Sequence, residues 1–454
     1  MLERFLLNAA RMKIRDRRLV FNTGRAAYPA ESSPPRVLYW GKTLSKFISA
    51  QLIVQAIGVA SSILLVRTLN QTEYAYFTIA FAMQSTMNIL ADAGIGISLS
   101  SIGGRVWKNP HRFGQLINTA LRLRRYLAAV AVVVVTPILV WMLTSNGASS
   151  VYTCVITLAV LLSLNYQLST GVLMNVPRLH SQIGRVQKLD LMGAVSRLAL
   201  LVAAYFIFLN AAVATFAALF ALLIQYFLLK RWVTDSVDVD APVSEEDRAT
   251  MLGIVKSQAP NAVFYCVQGQ LIVWLISIFG STRNVAEVGA LGRLGIIFSV
   301  IGAVMTSIVL PTFARCQSPR QLQRRYWQIL IGYCLFGMML VALATLFPDQ
   351  LLWILGSKYS HMRSELVLMM LMTASGSIVA TMWSLNSSKA WIKHSWLNIP
   401  GTLTVQVLLL LLLDISTLDG VLWFGILSVI PTFILNAALT YQGFSRRERL
   451  VTGI

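Results

Sequence analysis

Charged residues are scarce in this chain of 454 residues, at 12% of the total, whereas soluble domains carry roughly 25%. Apolar residues make up 56%, and the mean hydropathy is +0.67. The small number of charges excludes an ordinary soluble domain. The composition is typical of a polytopic membrane protein.

Cysteine and histidine are also rare, with four residues of each kind. The cysteines form no close pair and no Cys-x-x-Cys motif, so no disulfide framework is indicated. The histidines are scattered over four loops and lack the spacing of a metal site, so we expect no metal and no cofactor. Glycine-rich phosphate loops, serine nucleophile elbows and dinucleotide fingerprints are absent as well.

Long apolar runs are abundant. About 20 residues of helix are needed to cross roughly 30 Å of hydrocarbon. By this criterion the sequence predicts twelve transmembrane helices. Their approximate limits are 44–66, 74–103, 126–144, 151–175, 189–209, 211–230, 257–280, 287–311, 327–347, 366–388, 397–414 and 419–441.

The basic residues are distributed unevenly between the two sides of the predicted helices. Of 38 Lys and Arg, 32 fall in the termini and alternate loops, and four fall in the opposite loops. The positive-inside rule therefore predicts that both termini are cytoplasmic, which an even number of helices also requires. The net charge of +20 is explained by this topology and by contact with anionic lipids, so we expect no nucleic-acid partner.

The chain divides into two halves of six helices around an acidic segment. Ser244 followed by Asp247 predicts an N-cap there, with a short helix leading into the seventh span. Two parallel six-helix lobes would enclose a central site at their interface. Residues 1–42 favour either an interfacial helix or a disordered tail. The predicted organisation is a basic tail over 1–42, an N-lobe over 43–230, an acidic linker over 231–256, a C-lobe over 257–441 and a basic tail over 442–454.

Two arginines lie within predicted membrane spans. Arg197 is eight residues from the cytoplasmic end of the fifth span, which is about 12 Å along a helix. Arg293 is nearer the outer end of the eighth span, where its side chain could reach the interface. A cation at membrane depth needs water, a counter-ion or an anionic ligand. Both are candidate substrate-binding residues.

Polar side chains form stripes along some of the same helices. Gln258, Asn261, Tyr265 and Gln268 share one face of the seventh span, and Gln84, Asn88 and Asp92 follow each other at steps of four in the second. These stripes either line a hydrated cavity or join helices to each other. We list the neutral residues as candidate substrate contacts. Asp92 could pair with an arginine, bind a coupling cation or carry a proton, so coupling to H⁺ or Na⁺ stays open.

The segment LLVRTLNQTEYAYFTIAFAMQSTMNILADAGIGISLS has a short loop, an aromatic-rich helix start and the Asp-x-Gly-x-Gly pattern of Asp92, Gly94 and Gly96. It resembles polysaccharide transporters, the Wzx-type flippases of the MATE/MOP exporter superfamily. The span containing Pro260 and the segment from Ile308 to Arg315 are similar to the second half of that family. The resemblance covers roughly residues 43–445.

This resemblance implies an all-α integral membrane protein in the bacterial inner membrane. The implied activity is the translocation of a polyprenyl-pyrophosphate-linked oligosaccharide by alternating access, for O-antigen, exopolysaccharide or capsule synthesis. Its implied partners are the lipid-linked substrate, membrane lipids, a polysaccharide polymerase and other export proteins. Arginines would bind the pyrophosphate, and amides, hydroxyls and aromatic side chains would bind sugars.

Two other classes of membrane protein would have a similar amino-acid composition. A cation-coupled multidrug exporter of the MATE type would share the architecture, but its cavity would favour acids. A membrane glycosyltransferase or O-antigen ligase could also have twelve spans. Such an enzyme would need catalytic groups on a large outer loop, and the longest outer loop, 347–365, carries few.

Overall fold

The computed structural model describes residues 36–452 except 181, 235, 306–308, 311–312, 314–315, 317, 390 and 392–394. The regular secondary structure of these residues is helical throughout. The predicted interfacial helix near the N-terminus lies outside the described residues. So do the side chains of Gln258 and Asn261 and most of the segment around Pro311.

We call the helices that precede the acidic linker the N-lobe and those that follow it the C-lobe; the described residues contain eight α-helices of the first and nine of the second. The N-lobe helices are α1 Arg36–Thr68, α2 Gln71–Asp92, α3 Ile95–Val106, α4 Pro110–Ser145, α5 Ser150–Leu173, α6 Asn175–Leu179, α7 Ile183–Ile207 and α8 Ala211–Thr234. The C-lobe helices are α9 Glu245–Phe279, α10 Thr282–Leu294, α11 Ile296–Val304, α12 Pro319–Leu346, α13 Pro348–Leu355, α14 Arg363–Ser388, α15 Asn398–Leu412, α16 Leu418–Leu427 and α17 Ile430–Thr452.

Ten helical segments among the described residues are long and apolar enough to cross a membrane. They correspond to ten of the twelve predicted spans, and the second and eighth are the exceptions. The second is shared between α2 and α3, and the eighth begins as the short helices α10 and α11. Because α2 is largely buried among other helices, it does not need the apolar surface of a lipid-facing helix.

The predicted second span is interrupted at its Asp-x-Gly-x-Gly segment. Ala93 and Gly94 both have left-handed backbones, with φ of 35° and 101°, and α3 starts at Ile95. Glycine adopts this conformation without steric cost. The prediction of one continuous helix over 74–103 is therefore wrong at this point.

Two other helices extend further than the sequence indicated. α4 starts at Pro110 and runs for 36 residues, so it includes Arg124, which we expected in a loop. The predicted N-cap at Ser244 is confirmed, because its side chain accepts a hydrogen bond from the Asp247 amide at 3.3 Å. The helix that starts there is α9 itself, which continues unbroken through the seventh span, so the separate short helix is wrong.

The two lobes share a large hydrophobic core. We call the side of the lobes that carries Arg67 and Lys358 the outer side, following the charge asymmetry of the sequence. Tyr74 and Phe77 of the N-lobe and Leu291 and Leu366 of the C-lobe belong to one buried cluster on the outer side. On the inner side there are two clusters. One joins the N-lobe helices to Met251 and Val255 at the start of α9, and the other lies within the C-lobe. The lobes are therefore closed together outside.

A reciprocal contact joins the lobes at their outer ends. The Arg67 side chain, at the end of α1, donates to the carbonyls of Trp353 and Ile354 at the end of α13. In return, Lys358 Nζ donates to the carbonyls of Arg67 at 3.2 Å and Leu69 at 2.6 Å. Each cation thus satisfies carbonyls at a helix C-terminus, where the helix dipole favours positive charge. Burial lowers the pKa of Lys358.

The acidic linker is attached to the inner end of α4. Asn118 Nδ2 donates to the carbonyls of Val239 at 2.9 Å and Ala241 at 2.8 Å, and His111 Nδ1 lies 2.7 Å from Asp238 Oδ2. The hydrogen bond with His111 lowers the pKa of Asp238. The linker therefore belongs structurally to the N-lobe.

Candidate functional site

A cavity of about 270 Å³ lies inside the N-lobe, between α2, α5, α7 and α8. We call it the N-lobe cavity. Its polar lining consists mainly of Arg197 and three glutamines, Gln84, Gln167 and Gln225. Gln84 Nε2 donates to Gln167 Oε1 at 3.1 Å, so the polar stripe of α2 meets α5 here. None of the described residues lining this cavity is acidic.

Arg197 extends into the N-lobe cavity from α7. Its Nε atom is buried and has no hydrogen-bond partner among the described residues. Gly193, one turn earlier, leaves space for Gln225, because a Cβ there would lie 1.7 Å from the Gln225 amide nitrogen. A buried guanidinium nitrogen without a partner is costly unless a ligand supplies an acceptor.

Arg293 reaches the edge of the same cavity from the C-lobe. Its Cζ lies 5.2 Å from the ring centroid of Phe81, a residue that lines the N-lobe cavity. Its Nε donates to Tyr74 Oη at 3.2 Å, and Tyr74 in turn donates to the carbonyl of Gly289 at 3.1 Å. The two arginines, predicted separately, therefore reach the same cavity from different lobes, Arg197 as a lining residue and Arg293 beside the ring of Phe81.

Asp92 does not line this cavity. It pairs with Arg124 of α4, with 3.4 Å between Oδ1 and Nη2. The same nitrogen of Arg124 donates to Asn88 Oδ1 at 3.2 Å. The last two residues of the α2 stripe, Asn88 and Asp92, therefore both bind this arginine. Gly171 makes room for the guanidinium, because a Cβ there would lie 2.6 Å from Nη1.

Sequence reasoning missed Arg124 because the third span was predicted to start at residue 126. A signal for it was present. Phe113, Leu116, Ile117 and Ala120 follow the helical apolar period, and all four are buried. Arg124 is four residues further on and lies on the same face.

A second cavity, of about 670 Å³, lies in the C-lobe between α9, α14, α15, α16 and α17. We call it the C-lobe cavity. Tyr265 and Gln268 of the predicted stripe both line it, and Tyr265 is half exposed. Gln268 and Gln406 exchange two hydrogen bonds, at 2.9 and 2.7 Å. Gln406 was not predicted from the sequence.

The predicted site residues thus fall into three places. The N-lobe cavity is lined by Arg197 and Gln84 and has Arg293 at its edge. The side chain of Arg124 binds Asn88 and Asp92. The C-lobe cavity is lined by Tyr265 and Gln268. Their spacing along single helices indicated which residues share a face. It did not indicate which helices complete each group.

Comparison with known proteins identifies the fold. No protein-family model and no curated protein sequence matches this chain. A multidrug resistance MATE family transporter in an inward-facing conformation aligns with a TM-score of 0.65 and 16% identity, covering 88% of this chain and 96% of that one. The lipid II flippase MurJ, in an inward closed conformation, aligns with a TM-score of 0.64 and 11% identity, covering 88% of each chain.

An outward-facing MATE transporter structure aligns less well, with a TM-score of 0.54 and 16% identity, covering 90% of this chain and 95% of that one. Identities this low establish the fold alone. The chain therefore has the all-helical membrane fold that MATE transporters share with MurJ.

Proposed function

We propose that this protein is a flippase that carries a polyprenyl-pyrophosphate-linked oligosaccharide across the bacterial inner membrane by alternating access, for surface polysaccharide synthesis. One observation carries the proposal. Arg197 and Arg293 converge near Phe81 at a cavity whose described lining residues include no acid.

The electrostatics of this cavity favour an anionic ligand. Two neighbouring cations at membrane depth are unfavourable unless an anion compensates them. A pyrophosphate supplies several acceptor oxygens, and the planar arginine fork matches their geometry. Each hydrogen bond between charged groups contributes about 1.5 to 3 kcal/mol.

The arrangement of the lobes supports loading from the inner side. The lobes share a core outside, whereas the inner cluster of the N-lobe contains residues from the start of α9 and none from the other described C-lobe helices. The TM-score is also higher with the inward-facing MATE structure than with the outward-facing one, at 0.65 against 0.54. A carrier in this state would accept a substrate assembled in the cytoplasmic leaflet.

Drug export is a second candidate, because the C-lobe cavity is large and has Phe264, Tyr265 and Trp383 in its lining. The fold comparison supports it equally, since MATE multidrug transporters and a lipid flippase are both similar to this chain. A cationic drug would be expected to need a carboxylate. Asp92, the acid of the α2 stripe, is paired with Arg124.

The test is translocation of a lipid-linked oligosaccharide by purified protein in liposomes, compared between Arg197 and Arg293 variants. Substitution by Gln should lower the apparent affinity about ten- to hundredfold for each arginine, given the energy of a charged hydrogen bond. Substitution by Lys should lower the affinity less than Gln does, because it keeps the positive charge. It should still lower it, because Lys lacks the planar guanidinium that binds two oxygens. Arg105→Gln, which removes an exposed charge from α3, is the matched control and should transport normally.

Normal transport by well-folded Arg197→Gln and Arg293→Gln would refute an anionic cargo. Export of lipophilic cations by the native protein, with no translocation of the lipid-linked oligosaccharide, would favour the drug exporter.

A further inference from the structure

The C-lobe cavity differs from the N-lobe cavity in charge. None of its described lining residues carries a charge at neutral pH, although it is more than twice as large, at about 670 against 270 Å³. A charged group transferred into it would lose its hydration without gaining a counter-ion. Its ligand must therefore be uncharged where it contacts this cavity.

The polar groups of the C-lobe cavity have unused hydrogen-bonding capacity. Ser428 Oγ is buried and has no partner among the described residues. Thr402 Oγ1 makes long contacts of 3.5 Å with Asn398 and Thr432. In the Gln268–Gln406 pair, each amide nitrogen has two hydrogens and uses one of them for its partner. A purely apolar ligand would leave these groups unsatisfied.

The lining of this cavity combines aromatic rings with polar groups. Tyr265 and Trp383 contribute rings, and the same lining contains amides and hydroxyls. A sugar ring has the matching chemistry, because its C–H faces are apolar and its hydroxyl rim both donates and accepts hydrogen bonds. Cavities of roughly 300 to 1,000 Å³ with a few placed polar groups are typical ligand sites.

We infer that the C-lobe cavity binds uncharged sugar residues of the cargo while the N-lobe cavity binds its phosphates. The inference rests on the proposed function and deepens it, because it assigns each chemical part of the cargo to one lobe. It identifies Gln268, Gln406 and Ser428 as specificity-determining residues. Acidic sugars are excluded from this cavity, because burying a carboxylate there has no compensating cation.

Two glycines on the wall of the C-lobe cavity provide suitable positions for a test. A Cβ added at Gly376 or Gly269 meets no atom within 4 Å, so a side chain there would extend into open space. Gly376→Cys is therefore a reporter of occupancy, in a background where Cys154, Cys266, Cys316 and Cys334 are replaced by alanine. Gln167→Cys in the same background reports on the N-lobe cavity.

The experiment measures how fast each reporter reacts with a small water-soluble thiol reagent in the presence of defined probes. Maltotriose should slow the reaction of Gly376→Cys by about tenfold at roughly ten times its Kd, because occupied protein does not react. Trigalacturonate and inorganic pyrophosphate should leave it unchanged. Pyrophosphate should slow Gln167→Cys. Replacing Gln268 and Gln406 together by leucine should abolish protection by maltotriose and leave the protein folded, since both partners are removed at once.

Each outcome decides the inference. If maltotriose at its highest soluble concentration fails to protect Gly376→Cys, or trigalacturonate protects it equally, the inference is wrong. Protection by farnesol or tetraphenylphosphonium in place of maltotriose would assign the cavity to the lipid chain or to a cationic drug and would overturn the inference. If pyrophosphate fails at Gln167→Cys while maltotriose protects Gly376→Cys, the proposed pyrophosphate site fails and the sugar site stands.

A transport measurement provides an independent check. Gly376→Leu extends a side chain into the cavity from a position where a Cβ meets no atom within 4 Å, and it replaces a poor helix former in α14, so the fold should be preserved. It should reduce translocation of a lipid-linked neutral oligosaccharide by at least about tenfold and leave the pyrophosphate protection of Gln167→Cys intact. Gly332→Leu, at an exposed position on α12 with open space around it, is the matched control. Equal transport by both variants would contradict the inference.

Discussion

Breaking the reciprocal contact between Arg67 and Lys358 should shift the protein toward its outward-open state. Lys358→Met removes two hydrogen bonds, with lengths of 3.2 and 2.6 Å, from carbonyls at the end of α1. The Lys358 side chain is exposed, one of its two bonds is exposed and the other is partly buried, so we take about 0.5 to 1 kcal/mol for each bond, below the usual range for charged groups. The conformation closed on its outer side is then destabilised by about 1 to 2 kcal/mol.

That loss of free energy can be converted to a change in the ratio of the two conformations. Each 1.4 kcal/mol corresponds to a tenfold change in an equilibrium constant. Lys358→Met should therefore raise the ratio of outward-open to inward-facing protein by roughly five- to thirtyfold. Arg67→Met also loses the contact of its guanidinium with the Trp353 ring, 4.8 Å from the centroid, so its effect should be similar or larger.

The assay is the distance distribution between spin labels at two exposed outer positions, Thr72 in the N-lobe and Asp419 in the C-lobe, in the cysteine-free background. Outward opening should add a longer distance. Arg363→Met is the control, because Arg363 pairs with Asp349 within the C-lobe at 2.9 Å. An unchanged distribution in Lys358→Met, or an equal change in Arg363→Met, would refute the role of this contact.

Three further predictions concern the lobe interface, the Asp92–Arg124 pair and the orientation in the membrane. Gly289→Ala should also populate the outward-open state, because its Cβ would lie 2.4 Å from Thr78 Oγ1 across the lobe interface, and adding Thr78→Ala should reverse the change in the same distance measurement. Asp92→Leu should lower the thermal stability of detergent-solubilised protein, because it leaves buried Arg124 without its counter-ion. The double variant Asp92→Leu/Arg124→Met should recover most of this loss. Additive losses of stability would contradict the pairing. A reporter that is active only outside the cytoplasm should give signal when fused after residue 414 and none after residue 242, and the reverse result would overturn the predicted orientation.

The class of protein could be read from composition and periodicity. Apolar runs of about 20 residues predict helices in any bilayer protein, because the backbone must satisfy its own hydrogen bonds there. Ten of the predicted spans match helices of sufficient length and apolarity. The second predicted span does not match such a helix. Its first part, α2, is enclosed by other helices, and the left-handed backbone at Ala93 and Gly94 ends α2 early.

The site could be predicted only in part. Periodicity places Tyr265 and Gln268 on one face of α9, and hydropathy marks Arg197 and Arg293 as cations within apolar runs. Neither periodicity nor hydropathy indicates which residue on another helix each side chain contacts. Gln406 lies 138 residues from Gln268, and their hydrogen bonds exist only because α15 packs against α9.

What the sequence determined by itself is therefore local and one-dimensional. It determined which segments are helical and which polar residues share a helix face, and it predicts on which side of the membrane the basic loops lie. The tertiary structure decided the pairing of charges, because packing brings α4 against α2 and leaves Asp92 beside Arg124. It also brought Arg293 from one lobe to the edge of a cavity in the other. Attraction and repulsion between charges depend on distance in space, and in a helical bundle that distance is set by which helices are neighbours.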